Sequence, residues 1–491
     1  MTSNRPSTTP GPLGSPRVLL ATPIPRRIGL RHSSHYPHLG LASIAAVLQE
    51  AGAEVAIFDG TLTPSEKDWR EQVAAFRPGL VGLSAYTCQV KAAHELSLVA
   101  KSVSPGVRTV VGGPHPTALP AETLREFPAF DYAVQGEGEA PLRQLMVAGN
   151  DPRAVAQIPG LSFRRGPDIQ TIPPGAAIDL DTLPRPAWDL FDLRRYCSMA
   201  FLKGDLLDGT RSFRVESTRG CPHRCSFCSH VLGRKLRKRS VNRVIDDIRE
   251  LQRRYGARSI TFAADTFSVD RPYALALCEA LARLDPPIQW FCGTRPDCLD
   301  PELMVAMRRA GCDSIGLGLE SGSQEVLDTV QKGLRLEQST TVVRQLKRLG
   351  FVVTANFILG LPPDTRATMA QTIDLALALD VDYATFTLFT PFPGAQLTQF
   401  VEQTEGYAVL TRDWDLFDTQ SPRYLIAHPT LPGWQVELLH KWAYARFYLR
   451  PAHFWKLRRI VTAGSIWDYA RQTIRSRLPG GDRLDAGPPR P

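Results

Sequence analysis

The stretch Cys221-Pro222-His223-Arg224-Cys225-Ser226-Phe227-Cys228 places three of the chain's nine cysteines within eight residues, in the spacing C-x3-C-x2-C. A closed structural zinc site needs four ligands, and no fourth Cys or His stands at the usual C-x2-4-C or H-x3-5-H distance. An iron–sulfur cube is held by thiolates, normally four. Three thiolates leave one iron with an open position, as a cluster needs if it is to bind a small molecule and react with it. Clustered cysteines in a chain whose others are scattered point to metal or catalysis rather than to disulfides.

Outward from this loop the pattern alternates between strands and helices. FRVEST (213–218) enters the loop, and the helical run VNRVIDDIRELQRRYG (241–256) follows it. The apolar runs SITFAADTF (259–267), IQWFCGTR (288–295), DSIGLGLES (313–321), FVVTANFILGLP (351–362) and YATFTLFTPFPG (383–394) come next, the first four each followed by a helical segment. Six such units are too few to close an eight-stranded barrel and predict a partial one, with active residues at the C-terminal ends of its strands. Those ends present Asp265, Arg295, Glu320, Ser321, Asn356 and the Gly360-Leu361-Pro362 turn.

With Phe227 before the last cysteine, the loop resembles the signature of the radical S-adenosylmethionine (SAM) superfamily, and the resemblance extends over all six units. It implies a [4Fe–4S] cluster on Cys221, Cys225 and Cys228, its open iron holding the amino and carboxylate groups of SAM. The reduced cluster would then cleave SAM to methionine and a 5′-deoxyadenosyl radical. It also implies SAM contacts from Phe227, Asp265, Glu320, Ser321 and the backbone around Leu359, with Arg295 a candidate for the SAM carboxylate.

Upstream, residues 16–150 carry five apolar runs separated by helical patterns: RVLLATP (17–23), EVAIFDG (54–60), LVGLSAYT (80–87), VRTVVGG (107–113) and YAVQGEG (132–138). The helix LGLASIAAVLQEAG (39–52) ends on Gly52 as a cap. This is an α/β, doubly wound parallel sheet with its ligand site at the carboxyl ends of the strands. No GxGxxG follows the first strand, which weakens a nucleotide reading. The Pro37–Leu41 helix entry, the Ser84 turn, the Gly112-Gly113-Pro114-His115 loop and the Gly136-Glu137-Gly138-Glu139 turn resemble a cobalamin-binding domain of the type fused upstream of radical SAM domains. Cobalamin contacts are thereby implied for Ser84, Gly112, Gly113 and Gly136. The D-x-H-x-x-G loop that puts a histidine on cobalt in other cobalamin domains is missing, so cobalamin is expected without a protein histidine ligand.

The remaining segments carry less signal. Residues 1–15 and 479–491 read as disordered tails, 151–206 as an irregular linker, 207–406 as the barrel and 407–478 as a helical cap over its mouth. The composition, 43% hydrophobic and 22% charged, is that of a water-soluble globular protein. Neither a signal peptide nor an apolar span is legible, so a cytoplasmic location is expected. The net charge of +9 is dispersed apart from Arg234–Arg239. That run reads as a solvated face, with an anionic substrate or the acidic surface of an electron donor as the sharper alternative. No nucleic-acid-binding module is recognisable, and Cys88 alone precedes the linker, too few cysteines for a tRNA methylthiotransferase. The resemblances together imply a cobalamin-dependent radical SAM enzyme methylating an unactivated carbon of a small molecule, with a flavodoxin- or ferredoxin-type reductant. A cyclase or rearrangement enzyme of the same assembly and a non-catalytic sensor are the alternatives.

Overall fold

The structure, a computed structural model, describes residues 15–24, 26, 36–196 and 212–451. Its first sheet contains β1 (Arg17–Thr22), β2 (Glu54–Asp59), β3 (Leu80–Ser84), β4 (Arg108–Gly112), β5 (Tyr132–Val134), β6 (Leu161–Arg165) and β7 (Asp168–Thr171), in the order β2-β1-β3-β4-β5-β6-β7. The first five strands are parallel. This is the flavodoxin-like doubly wound order, whose ligand crevice opens where the order reverses. Helices cover both faces, so β1 is buried almost throughout. The helix Leu39–Glu50 turns Leu41, Ala42, Ala45 and Leu48 into the core and ends beside Gly52, whose φ of +87° is the expected left-handed stop.

The 151–206 segment is not merely a linker. Its residues 161–171 form an antiparallel hairpin, β6–β7, that extends the first sheet beyond β5. Gly166 at φ +64° makes the turn, and a short, half-polar pair of strands gave too little periodicity to be read as sheet. Further on, Trp188 and Phe191 join the shared core, Trp188 lying 5.8 Å edge-to-face on Phe213 of the second domain.

The second sheet has β8 (Ser212–Glu216), β11 (Ser259–Ala263), β12 (Gln289–Thr294), β13 (Cys312–Glu320), β14 (Val352–Leu359) and β15 (Tyr383–Leu388), all parallel and in sequential order. It is the expected six-stranded partial barrel. Between β8 and β11 a two-residue ladder of β9 (Thr218–Arg219) and β10 (Arg237–Lys238) pinches the base of the cysteine loop.

The C-terminal expectation needs correction. From Tyr407 the chain makes a small antiparallel pair, β16 (Ala408–Val409) with β17 (Ile426–Ala427), around a 3-10 turn at Trp414–Leu416, before the helix Gly433–Tyr448. Trp414 meets His115 of the first domain edge-to-face at 4.9 Å and donates to Glu126, while Asp413 pairs with Lys91. The helix covers the outer edge of the barrel, not its mouth. Tyr444 Oη accepts from Phe386 N (3.2 Å) and donates to Phe386 O (3.0 Å), and Tyr448 Oη does the same at Ala384. These hydroxyls satisfy edge groups of β15 that a closed barrel would pair with a further strand. Phe454, Trp455 and the remainder of the expected cap, like most of both tails, lie outside the described residues.

Candidate active site

The cysteine loop is held in place by backbone geometry. Cys221 N donates to Gly233 O, and Gly220, at φ +86°, passes so close to Lys235 that a Cβ would lie 2.4 Å from its carbonyl oxygen. Ser226 anchors the middle: its N and Oγ both donate to Val330 O, and its carbonyl accepts from Leu397 N. Cys221, Cys225 and Cys228 thereby face one cavity of about 940 Å³, lined by residues of both domains. Among the described residues no three His, Cys, Asp or Glu side chains converge as ligands of a single ion do. Three thiols turned toward a common space suit a polynuclear cluster.

Burial raises the Cys225 and Cys228 thiols above the usual range, and Lys332 and Arg295 pull Cys225 back toward the thiolate. Arg295 Nη1 lies 3.4 Å from Cys225 Sγ, while its Nε and Nη2 grip both carboxylate oxygens of Asp297 at 2.9 and 2.8 Å. That edge of the fork is taken by Asp297, so of the expected SAM-carboxylate contact Arg295 presents Nη1, beside a thiol, to the cavity it lines. Glu320 lines the cavity at φ +65° and pairs with Lys332 Nζ at 2.7 Å. Lys332 escaped the sequence reading because it lies after a short helix rather than at a strand end. Phe227 lines the cavity under Lys332, and Asp265 lines it with its carboxyl pushed up by burial. Two further expected residues do not turn a side chain into the cavity. Ser321 is fully buried against Thr372 Oγ1 and accepts from Ser323 N, and Leu359 is sealed in the core.

The opposite wall comes from the first sheet. Ser84, Gly112, Gly113 and Gly136 all line the cavity. Gly113 has φ +102° and a Cβ there would meet Ala85 O at 2.8 Å, whereas one on Gly136, at φ +81°, would meet nothing within 4 Å. The strand ends therefore offer bare backbone to a bulky ligand. His38 belongs to this wall as well. Its Nδ1 accepts from Leu41 N at 3.1 Å, capping the helix, and its Nε2 lies 3.3 Å from Ser84 Oγ. A ring accepting at Nδ1 carries its proton on Nε2 and donates it to the serine. Burial lowers the pKa of His38, which favours this neutral form.

A buried charge lattice joins the walls. Arg219 contacts Glu216 and Glu139 at 2.6 Å and Glu137 at 3.4 Å, and Glu137 also pairs with Arg237. Burial opposes the charge on Arg219, yet Glu139 and Glu216 outweigh it and raise its pKa further. Of the basic run, Lys238 pairs with Asp270 and Arg239 with buried Asp247. Of the five basic residues in a run read as a solvated face, two, Arg237 and Arg239, are thus internal structure.

Residues 215–376 match the radical SAM superfamily, and residues 28–146 match the B12 binding domain. An uncharacterized methyltransferase of Pyrococcus horikoshii is 33% identical over 419 residues, covering 84% of this chain and 88% of that one. An anaerobic magnesium-protoporphyrin IX monomethyl ester cyclase of Rubrivivax gelatinosus is 30% identical over 78% of this chain and 69% of its own length. The fold is also that of the radical SAM methyltransferase TsrM of Kitasatospora setae, solved with cobalamin and a [4Fe–4S] cluster (TM-score 0.68, 19% identity, 92% of this chain and 90% of that one). OxsB, solved with aqua-cobalamin and SAM, shares it at TM-score 0.70 and 19% identity over 94% of this chain and 72% of that one. Among the described residues no helix is long and apolar enough to cross a membrane. Both matched domains supply walls of the one cavity, and the archaeal relative is similar along nearly the whole of both chains: the protein belongs to the radical SAM superfamily, among its cobalamin-dependent enzymes.

Proposed function

We propose that the protein transfers a methyl group to an unactivated carbon of a small molecule. The observation that carries this reading is the single cavity bounded by the three cysteine thiols on one side and the bare strand ends of the first sheet on the other. When bound, the cluster and SAM supply a hydrogen-abstracting 5′-deoxyadenosyl radical and cobalamin supplies the methyl group, chemistry a carbon without an acidic proton needs. The chain's own residues divide the remaining work. Cys221, Cys225 and Cys228 would hold the cluster, while Arg295 and Lys332 place positive charge beside Cys225 and so favour its thiolate. Ser84, Gly112, Gly113 and Gly136 would admit cobalamin, and the Arg219 lattice fixes one wall against the other.

The test is product analysis on anaerobic, cluster-reconstituted protein supplied with cobalamin, SAM and a low-potential reductant. Bound cobalamin with both 5′-deoxyadenosine and S-adenosylhomocysteine is expected. Deoxyadenosine alone with the true substrate would transfer the assignment to the cyclase reading, which the Rubrivivax relative favours. Absence of bound cobalamin would overturn both.

Cobalt is further expected to carry no protein imidazole, because His38 uses one nitrogen on Leu41 N and the other on Ser84 Oγ. Electron paramagnetic resonance of bound cob(II)alamin should show no nitrogen splitting that disappears in His38→Ala. A splitting lost on that substitution would refute the assignment.

A further inference from the structure

The interior of the partial barrel is lined by alternate residues of its strands, and three of them, Gly293, Gly316 and Gly318, have no side chain to fill it. On β8, the edge strand lining this space, stands Arg214. The other cations on the cavity wall have carboxylate partners: Arg219 has Glu139 and Glu216, Arg295 has Asp297, and Lys332 has Glu320. Arg214 has no ion pair or hydrogen bond among the described residues. Its guanidinium lies 5.4 Å from the ring centroid of Tyr36, and Tyr36 is itself fixed by a 3.1 Å hydrogen bond from Thr261 Oγ1. Stacking on a ring face orients the guanidinium and leaves its in-plane N–H donors unused. Arg214 is exposed, but to a cavity it helps to line rather than only to bulk water. On the facing strand β14, Asn356 is also exposed to this cavity, and its amide makes no hydrogen bond among the described residues.

We infer that Arg214, assisted by Asn356, is a binding site for an oxyanion, a carboxylate or phosphate group carried by the substrate. A pre-oriented fork across a cavity from an unused amide matches two or three oxygen acceptors, and a partly desolvated guanidinium gains most from a charged one. The inference deepens the proposed function and rests on it for the identity of the ligand as substrate. The same chemistry has a second source in the phosphodiester of cobalamin, since Arg214 is near enough to His38 to depress its pKa.

The experiment uses reconstituted, cobalamin-loaded protein without turnover. Binding of two probe pairs, benzoate against benzamide and phenylphosphonate against benzyl alcohol, is measured by ligand-observed magnetic resonance or calorimetry. The wild type should prefer each anion by about tenfold or more, as a charge-assisted bidentate contact implies. Arg214→Gln should erase the preference and Arg214→Lys, which keeps the charge but not the fork, should retain part of it. A wild type without anion preference, or a preference intact in Arg214→Gln, overturns the inference, and the first result needs no variant to fold. Cobalamin bound per cluster separates the sources: a marked loss in Arg214→Gln assigns the guanidinium to cobalamin and overturns the substrate assignment. Anion preference in a protein that never forms deoxyadenosine supports this site while overturning the proposed reaction, so the two can fail separately.

Discussion

Replacing Cys221, Cys225 or Cys228 with alanine is expected to reduce 5′-deoxyadenosine formation to the level of protein-free controls. The three substitutions should be equivalent, although the cysteines differ in exposure from buried Cys225 to exposed Cys228. The reason is geometric. The loop is fixed by the Cys221–Gly233 contact and the β9–β10 ladder at its base and by Ser226 in the middle, so its backbone has little freedom to shift and make good a lost thiolate. Fold stability should change little, because the anchors are backbone groups and Ser226 Oγ rather than sulfur. Iron and sulfide analysis with product quantification checks this. Full activity in any one variant would remove that cysteine from the ligand set. By contrast Cys278, Cys292 and Cys312 are sealed in the core, where alanine costs packing and not cluster.

Arg219→Met should be the most destabilising single change at the domain junction, by about 3–5 kcal/mol, because it strands buried carboxylates. The arginine side chain is only 7% exposed, so solvent screens little of this. Glu137 keeps Arg237, but Glu139 and Glu216 lose their partner. Burial already raises the Glu216 pKa, with Arg219 opposing the rise. A carboxyl whose folded pKa exceeds its unfolded value binds its proton more tightly when folded, so its contribution to stability falls as pH rises through that window. Removing Arg219 widens the window. The deficit of the variant should therefore be largest near neutral pH and shrink on acidification, and adding Glu139→Gln and Glu216→Gln should restore much of the loss. Urea titrations at several pH values measure both. A cost below about 1 kcal/mol, against the strong coupling expected of buried pairs, would show that the lattice does not hold the domains together.

Much of this site was legible in the chain because its signals are local. The spacing of Cys221, Cys225 and Cys228 is set by one loop, and the small residues at Ser84, Gly112, Gly113 and Gly136 mark strand ends that alternation alone locates. The hairpin at 161–171 was missed because a two-stranded extension is defined by its partner, β5, and not by its own weak pattern. Ser321 was expected at the cavity from its place at the end of a strand, and the backbone around Leu359 from the family resemblance. At Ser321 a bulge between Gly318 and Glu320 re-aims the side chains, so that Glu320 lines the cavity and Ser321 turns to Thr372.

The sequence by itself pointed to two α/β units of repeated strand and helix and to a loop of three clustered thiols, since periodicity of two and of 3.6 and a three-cysteine spacing are properties of short stretches. Only the tertiary structure decided which charges neutralise one another and which remain available. Arg219 meets Glu139 across 80 positions, Arg295 grips Asp297 beside the cavity, the C-terminal helix covers the edge of β15 rather than the mouth, and Arg214 has no carboxylate partner among the described residues. Ion pairing depends on distance and burial between groups far apart in the chain, and no local pattern encodes either.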